Sequence, residues 1–364
     1  IAAATLLVAL VAPVLGALAD AGGLRKKFVV GMTIIAAAST LALAAVAEGH
    51  WGTALGLYAL ALVGYYTANT FYDALLTDVT SPDRYETLSA SAYALGYIGS
   101  ATLMAVCAWM VQQPATFGLP DAATAVKATF AIVAVWWVLF MLPLALTVTE
   151  RQSAVATGAS IGAAYAQVFR TLRNIAGYRN VAVFLVAYWL YIDGVHTLIL
   201  LAADFGARLG FSSGDLILAI LLTNIVGAPA TLAFGWIGRR IGTRPTIYVG
   251  VGVYILISLY GLQVTEVWQF YAMAISIGLV QGAVQSQSRA LFAHLVPAER
   301  AAEFFGFYSM LGKFAAILGP LLVGIIARFS DDPRVTVFAL LPLFIGGVLV
   351  LARVDVRAAD PVAN

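Results

Sequence analysis

Charged side chains are scarce in this sequence. Lys and Arg (20 residues) and Asp and Glu (18 residues) together make up only 10% of the 364 residues, whereas soluble domains carry about 25%, so a soluble globular protein is excluded. The single cysteine, Cys107, excludes a framework of intrachain disulfides. No metal-spaced His and Cys set, phosphate-binding glycine loop or nucleophile constellation is found, so we predict no metal, no cofactor and no enzyme activity.

Apolar residues, in contrast, make up 62% of the chain, and its mean hydropathy is +0.93. Runs of about 20 apolar residues, long enough to cross a hydrocarbon core of about 30 Å as helices, recur along the whole sequence. We therefore predict an all-α integral membrane protein whose surroundings are the lipid bilayer. Its eleven predicted spans lie near residues 1–19, 28–47, 52–76, 88–111, 125–147, 180–203, 215–238, 245–262, 267–292, 304–327 and 334–352.

Basic residues are concentrated in alternate connections between these spans. One set includes the cluster Arg25-Lys26-Lys27, the arginines of the link 148–179 and the C-terminal tail, and the other set carries few basic residues. Connections rich in Lys and Arg remain in the cytoplasm. We therefore predict a multi-pass protein of the bacterial cytoplasmic membrane with its C-terminus in the cytoplasm.

The two halves of the chain resemble each other. The stretch DALLTDVTSPDR from Asp73 aligns with RALFAHLVPAER from Arg289, 216 residues later, and GALADAGGLRKK from Gly16 aligns with GWIGRRIGTRPT from Gly235, 219 residues later. The matched segments are predicted to lie on the same side of the membrane in both halves. They therefore indicate a parallel duplication, which is common in transporters.

The repeat also predicts that a segment is missing. A full span, 180–203, precedes the span that ends at Gly235, whereas only fifteen residues precede Gly16. We therefore expect six plus six helices in the parent protein, of which the first is absent here; a natural protein of eleven helices is the alternative. The predicted parts are an N-terminal bundle 1–147, a cytoplasmic link 148–179, a C-terminal bundle 180–352 and a cytoplasmic tail 353–364.

Specific stretches of the sequence resemble a known superfamily. The loop motif Gly16-x-x-x-Asp20-x-x-Gly23-x-Arg25, combined with the duplication, resembles the major facilitator superfamily, with one extra glycine. Three further stretches resemble its vacuole-effluxer branch, the autophagy-related amino-acid effluxers and their bacterial relatives: YDALLTDVTSPDRYETLSASAYALGYIGS, FLVAYWLYIDGVHTLI and QSQSRALFAHLVPAERAAEFFGFYSMLGKFAAILGPLLVG. The resemblance implies a fold of two six-helix bundles and an exporter of small solutes, with amino acids the substrate of fungal members. Asp73 departs from the family pattern, where asparagine is usual.

Polar residues at helical spacing mark a candidate substrate cavity. Those at 65, 69 and 73 share one helix face, and those at 281, 285 and 289 occupy the repeat-related positions. Two related polar faces predict helices that flank a shared central cavity, and hydrogen bonding between helices is the alternative. With polar residues of neighbouring helices, the predicted cavity comprises Tyr65, Asn69, Tyr93, Tyr97, Tyr188, Asp193, Gln281, Gln285 and Lys313.

Asp193 lies within the otherwise apolar run 180–203. A lone charge at mid-membrane costs about 2.5–3.5 kcal/mol even on a lenient scale, so a partner or a wet cavity is expected. At about 1.5 Å per residue, Lys313 lies at a comparable depth. We predict that the two residues form a pair or share one cavity wall, and that Asp193 takes up a proton when Lys313 leaves it. A permanent structural ion pair is the alternative.

Glycines and charged residues near the cytoplasmic span ends form a candidate gate. Asp20 at a helix end can hold an arginine in one state and release it in another, although the same charges could simply mark a cytoplasmic turn. The predicted gate residues are Gly16, Asp20, Arg25, Asp73, Arg84, Arg239, Arg244, Arg289 and Arg300.

Together these features predict a secondary transporter that exports a small polar solute by alternating access. Amino acids are the candidate solute and protons the candidate coupling ion. Two alternatives stay open: a non-transporting sensor or scaffold with the same fold, and a transporter of lipids or other amphiphiles. We expect a monomer without a nucleic-acid partner.

Overall fold

Helices form the fold throughout the part of the chain that the structure describes. A computed structural model of the protein describes residues 2–150, 160–315, 317–330 and 332–355, and no strand occurs among them. The helices are α1 (Ala2–Gly22), α2 (Arg25–Leu43), α3 (Trp51–Ala74), α4 (Leu76–Val79), α5 (Tyr85–Gln112), α6 (Ala122–Thr147), α7 (Ile161–Arg173), α8 (Arg179–Arg208), α9 (Ser213–Ile241), α10 (Thr243–Tyr260), α11 (Val267–Leu295), α12 (Ala301–Phe314), α13 (Leu318–Ile326), α14 (Pro333–Phe338) and α15 (Leu341–Leu351).

Every predicted span coincides with one helix or with two consecutive helices. Within the described ranges, nine helical segments are long and apolar enough to cross a membrane, as judged by length and composition. The helices α1 and α3 cover the two remaining predicted spans, near 1–19 and 52–76. The all-α membrane fold expected from composition is confirmed.

Two predicted spans are interrupted. The span 304–327 consists of α12 and α13, and the span 334–352 consists of α14 and α15. Pro320 and Pro342 lie in the first turns of α13 and α15, where a missing backbone N–H breaks no helical hydrogen bond. Sequence periodicity does not separate such broken helices from continuous ones, because the apolar run continues through the break.

Side-chain caps fix the starts of several helices, among them α9 and α6. Ser212 and Asp215 form a capping box at the start of α9. Asp121 accepts a hydrogen bond of 2.7 Å from the backbone N–H of Thr124 at the start of α6. This hydrogen bond lowers the pKa of Asp121, since it favours the carboxylate.

The first of two compact units combines segments from both halves of the sequence. Unit 1 comprises Ile1–Val79, Thr102–Arg173 and Pro297–Met310. Within it, α2 packs on α3 and α6, while α1 packs on α3 and α7. The segment 297–310 brings the first part of α12 into a unit formed otherwise by first-half helices.

Unit 2 comprises Thr80–Ala101, Asn174–Val296 and Leu311–Asn364. Within it, α9 and α10 pack on α11, and α8 packs on α15. The segments 80–101 and 297–310 are therefore each grouped with helices from the other half of the sequence. The repeat relates these two segments, because 297–310 corresponds to 81–94 at the offset of 216 residues. The predicted bundles 1–147 and 180–352 follow the sequence repeat, and that these ranges form the two bundles of the fold stays a prediction.

The motif glycines Gly16 and Gly235 each lie where two helices touch. In unit 1, a Cβ on Gly16 would collide with the backbone of Ala302 and lie 2.7 Å from the Cα of Glu303. In unit 2, a Cβ on Gly235 would lie 2.5 Å from the Cβ of Ala90. Glycine permits such close approaches in membranes, so the repeat has kept one glycine crossing in each unit.

Replacing Gly16 by alanine is expected to lower the free energy of unfolding by about 1–3 kcal/mol, because the new Cβ meets backbone that cannot rotate away. Gly31→Ala in α2 is the matched control, since nothing lies within 4 Å of its ideal Cβ and alanine is the better helix former. Thermal unfolding of the purified protein in detergent measures both variants. Equal melting temperatures for the two would contradict a tight crossing at Gly16.

Candidate functional site

The charged residues predicted as a latch after α1 form a buried network around Arg25 in unit 1. Nε of Arg25 donates to Oδ1 of Asp20 at 2.8 Å, and Nη1 donates to Oδ2 of Asp78 at 2.9 Å. The three side chains are at most 7% exposed. Because removing one partner of a buried ion pair costs about 3–5 kcal/mol, this network strongly constrains the loop between α1 and α2.

Asp20 also binds the start of α12, which lies in the other half of the sequence and in the same unit. Its two carboxylate oxygens accept the backbone N–H groups of Ala302 at 3.0 Å and Glu303 at 2.8 Å. Nη2 of Arg25 donates to the carbonyl oxygen of Ala298 at 2.8 Å. The first N–H groups of a helix have no partner within it, so Asp20 satisfies two of them and attaches α12 to the last turns of α1.

A second buried carboxylate of the network, Glu303, lies on α12 itself. It is fully buried and was not predicted from the sequence. It accepts hydrogen bonds from Arg300, from the hydroxyl of Thr171 at 2.5 Å and from Nε2 of Gln167 at 2.6 Å. The predicted gate residue Arg300 is therefore engaged with Glu303, and α7 is bound to the start of α12. An Arg and a Glu three residues apart usually form a pair on a helix surface, so the sequence pattern gave no sign of burial.

Glu150 holds the start of α2 from the chain that follows α6. Its carboxylate accepts the backbone N–H groups of Arg25 at 3.1 Å and Lys26 at 2.6 Å, and Nζ of Lys26 donates to the carbonyl oxygen of Val148 at 2.7 Å. Burial raises the pKa of Glu150, and the two N–H groups act in the opposite direction. The start of α2 is thus attached to the chain that follows α6 as well as to Asp20 and Asp78.

The start of α5 in unit 2 is held by two basic side chains of α11. Nε of Arg289 donates to the hydroxyl of Ser89 at 2.9 Å, and its guanidinium lies 4.9 Å from the ring centre of Tyr93. Nε2 of His294 lies 2.9 Å from Oε1 of Glu86. Arg289, predicted as a gate residue, therefore lies at a buried contact between two helices. The segment that it holds is the repeat counterpart of the start of α12.

The other predicted gate residues differ from this pattern. Arg84 is exposed, 3.8 Å from its exposed neighbour Asp83, and Arg239 is also exposed. Arg244 donates to the carbonyl oxygens of Ala352 and Val354, at 2.8 and 2.9 Å, after the end of α15. Arg239 occupies the repeat position of Asp20, so the second motif lacks the carboxylate around which the first is built. Asp73 is half-buried, and its gate role stays a prediction.

Asp193 is fully buried in α8 and binds the first turn of α13 within unit 2. Its carboxylate accepts the backbone N–H groups of Leu318 at 2.9 Å and Gly319 at 2.8 Å, and the hydroxyl of Thr197 at 3.2 Å. The positive end of a helix dipole stabilises a carboxylate. The break between α12 and α13 thus supplies two backbone donors to this carboxylate, and the ion pair predicted with Lys313 stays a prediction.

Gly319 makes this close contact possible. A Cβ at this position would lie 2.7 Å from Oδ1 of Asp193 and would collide with the hydroxyl of Thr197. Any larger side chain would therefore push the first turn of α13 away from α8.

A cavity of about 350 Å³ lies inside unit 2, next to the helix break. Residues of α8, α9, α11, α13 and α14 form its walls, which are mostly apolar. The polar groups of the lining include the amides of Asn224 and Gln281 and the exposed pair of Asp204 with Arg208. Pro320, which follows Gly319, is part of the wall. Asp193 is therefore bonded to a helix that forms the cavity wall.

The remaining predicted cavity residues lie elsewhere in their units. The Tyr65 ring packs 5.6 Å from that of Trp137, and Tyr188 stacks on Phe184 with ring centres 6.1 Å apart. A Cβ on Gly282 would lie 2.8 Å from the ring of Tyr97. Three further residues are half-buried, namely Asn69, Gln285 and Lys313. Substrate contact by these residues stays a prediction.

Replacing Asp20 by alanine is expected to expose the amides of Ala302 and Glu303, because their acceptor is lost. Each 1.4 kcal/mol lost from the free energy of local opening raises the population of the exchange-competent open state about tenfold. We therefore expect amide exchange at least about tenfold faster in peptides covering 298–306. Hydrogen–deuterium exchange with mass spectrometry measures this. Asp83→Ala, which removes an exposed carboxylate, is the control. Unchanged exchange in the Asp20 variant would show that the latch does not protect α12.

Asp193→Ala is expected to lower the melting temperature by several degrees, since loss of a helix cap costs about 0.5–2 kcal/mol and leaves two buried N–H groups without an acceptor. Asp204→Ala on the same helix is the matched control, because its pair with Arg208 is exposed and such pairs contribute about 0–1 kcal/mol. If both variants unfold at the same temperature, the contact with α13 does not stabilise the protein.

The sequence matches a known family over nearly its whole length. The model of the family described as "Vacuole effluxer Atg22 like" matches residues 1–84 and 77–363. A Bacillus subtilis (strain 168) protein named "Uncharacterized MFS-type transporter YxiO" is 34% identical over 366 residues, which cover 100% of this chain and 85% of the relative.

Fungal proteins are more distant relatives. Autophagy-related protein 22-1 of Aspergillus niger is 26% identical over 70% of this chain, and autophagy-related protein 22 of Coccidioides immitis is 25% identical over 80%. The chain spans about half the length of these fungal relatives, 46% and 55%.

Solved structures of transporters share the fold. The transporter FucP in the outward conformation has a TM-score of 0.74 at 10% identity, covering 97% of this chain and 88% of that chain. The proton:xylose symporter XylE has a TM-score of 0.74 at 11% identity, covering 97% and 85%, and the human organic anion transporter MFSD10 has 0.68 at 16%, covering 96% and 82%. At these identities the similarity shows the fold alone.

Proposed function

Because the chain belongs to the vacuole effluxer Atg22-like family of the major facilitator superfamily, we propose that it is a secondary transporter that exports a small solute by alternating access. The observation that carries this proposal is the broken helix at Leu318–Pro320, which borders a cavity and whose first turn is held by the buried Asp193. Discontinuous helices with free N-termini border the substrate sites of many transporters.

The cavity lining supports a particular class of solute. Its walls are mostly apolar and carry the amides of Asn224 and Gln281, which can bind a polar group without the cost of a buried charge. A solute with one polar end and an apolar body fits this lining, and an amino acid with an apolar side chain is an example.

Proton coupling would act through Asp193. As a carboxylate, this residue accepts two N–H groups of α13. A proton removes the negative charge and turns one acceptor oxygen into a donor, which weakens the hold on Leu318 and Gly319. Since Pro320 forms part of the cavity wall, the protonation state of Asp193 would change the shape of the cavity. Lys313 remains the candidate partner of Asp193 in the alternate state.

The buried network of Asp20 and Arg25 would act as the gate on the arginine-rich side, which we assign to the cytoplasm of a bacterial cell. Opening that side requires α12 to leave Asp20, which breaks two hydrogen bonds to backbone amides. The contact of Arg289 with Ser89 would play the corresponding part in unit 2.

Flux into proteoliposomes tests the function and the coupling together. Using radiolabelled leucine and glycine under an imposed pH gradient, we expect accumulation of leucine above glycine, because the apolar wall binds the larger side chain. Asp193→Asn should abolish pH-driven accumulation and retain counterflow, since binding persists without a titrating group. Asp83→Asn, which alters an exposed carboxylate, should behave as the unaltered protein.

The outcome separates three ideas. Unchanged dependence on the pH gradient in Asp193→Asn would remove the coupling role and leave the transporter. Absence of flux for every amino acid would contradict the solute class. Absence of flux for any solute, in a folded protein, would favour a sensor or scaffold.

An amphiphile transporter is the second candidate, and the apolar lining of the cavity is the observation that favours it. A fluorescent short-chain phospholipid that is moved across the bilayer, in competition with leucine, would support this candidate over amino-acid export.

A further inference from the structure

The helix α7 carries an apolar stripe that the transport cycle does not use. Ile161, Tyr165, Phe169 and Leu172 are each between 51% and 66% exposed. At 3.6 residues per turn, these four side chains fall within an arc of about 80° on one side of the helix. Contiguous exposed apolar side chains of this kind mark a binding surface more often than a solvated face.

A different face attaches α7 to the protein. Ala164, Val168 and Thr171 are buried, and α7 packs on α1. Thr171 and Gln167 donate to the buried Glu303 of α12. The apolar stripe lies beside this attached face, so packing within unit 1 does not account for it.

The charges of α7 and of the chain that follows it indicate the partner. Arg170, Arg173 and Arg179 are exposed, and the segment 161–179 contains no acidic residue. Because α7 ends at Arg173 and the membrane-spanning α8 begins at Arg179, α7 lies within six residues of the bilayer surface. An apolar stripe bordered by Arg173 on the helix and followed along the chain by Arg179 complements anionic headgroups above acyl chains.

We propose that α7 binds the anionic lipid leaflet beside it, with its apolar stripe inserted at the boundary between headgroups and acyl chains and its arginines on lipid phosphates. Since Thr171 and Gln167 of the same helix hold Glu303, lipid binding would stabilise the start of α12. This last consequence rests on the proposed gate, whereas the lipid binding does not.

Site-specific fluorescence tests the lipid contact. In a Cys107→Ser background, an environment-sensitive label is attached to a single cysteine at Tyr165→Cys, in the stripe, or at Ala163→Cys, on the far side of α7. Each protein is placed in phosphatidylcholine vesicles with or without phosphatidylglycerol. The quenchers are a lipid with a nitroxide near the headgroup and aqueous iodide.

We expect the lipid nitroxide to quench the label at 165 and iodide to quench the label at 163. Phosphatidylglycerol should increase the lipid quenching at 165 by about twofold or more, and high salt should reverse the increase. The double variant Arg170→Gln and Arg173→Gln should lose the increase while keeping its melting temperature.

Equal quenching at the two positions, or quenching at 165 that does not respond to anionic lipid, would overturn the proposal. Protection of 165 from iodide without quenching by the lipid nitroxide would overturn it as well, by showing that another part of the chain covers the stripe. None of these measurements requires transport, so the lipid contact and the proposed function fail separately.

Discussion

Backbone N–H groups at the start of a helix have no partner within that helix, and where they are buried away from water another part of the protein must accept their hydrogen bonds. The interrupted span of α12 and α13 has two such starts, and a buried aspartate accepts a pair of N–H groups at each: Asp20 at α12 and Asp193 at α13. The rest of the site depends on this interaction. It explains why two carboxylates are buried in an apolar protein, and why Gly16 and Gly319 lie beside them, where a Cβ would prevent the approach.

The duplication has preserved the steric part of this arrangement and not its charge. Gly16 and Gly235 make equivalent crossings in their units, because close approach of two helices requires only the absence of a side chain. The position equivalent to Asp20 is Arg239, and the arginine equivalent to Arg25, Arg244, binds carbonyl oxygens after α15. In unit 2, Arg289 holds the start of α5 by a hydrogen bond to Ser89. The starts of α12 and α5, which the repeat relates, are thus held by groups of opposite charge from unrelated positions: the acceptor Asp20 in unit 1 and the cationic donor Arg289 in unit 2.

The sequence predicted the features that depend on composition and local pattern, and it missed those that depend on a helix break or on packing between distant segments. The spans, the duplication and the resemblance to the vacuole effluxers are confirmed, and the pair of Asp20 with Arg25 lies where the motif indicated. The backbone donors to Asp193 were missed, because rise per residue gives the depth of Lys313 in a continuous helix and cannot reveal that α12 ends at Phe314. The pairing of Asp193 with Lys313 stays a prediction. Glu303 was missed because its burial depends on α7, which packs against it from 132 residues away in the sequence.

Asp193 contacts the helix that forms the cavity wall and is not itself among the described residues that line the cavity, which bears on the proposed proton coupling. A carboxylate in the wall itself would bind a cationic solute and would be neutralised by it, so solute and proton would compete for one group. Here the one carboxylate among the described residues of the lining, Asp204, is paired with Arg208, and the lining also holds the amides of Asn224 and Gln281. Asp193 contacts the wall helix through Leu318 and Gly319. A proton can shift a conformational equilibrium only by as much as its affinity differs between the two states. The cap supplies such a difference, since a charged Asp193 stabilises the docked first turn of α13 and a neutral one stabilises it less. Recognition and coupling can then be carried by different residues on the two sides of one helix turn.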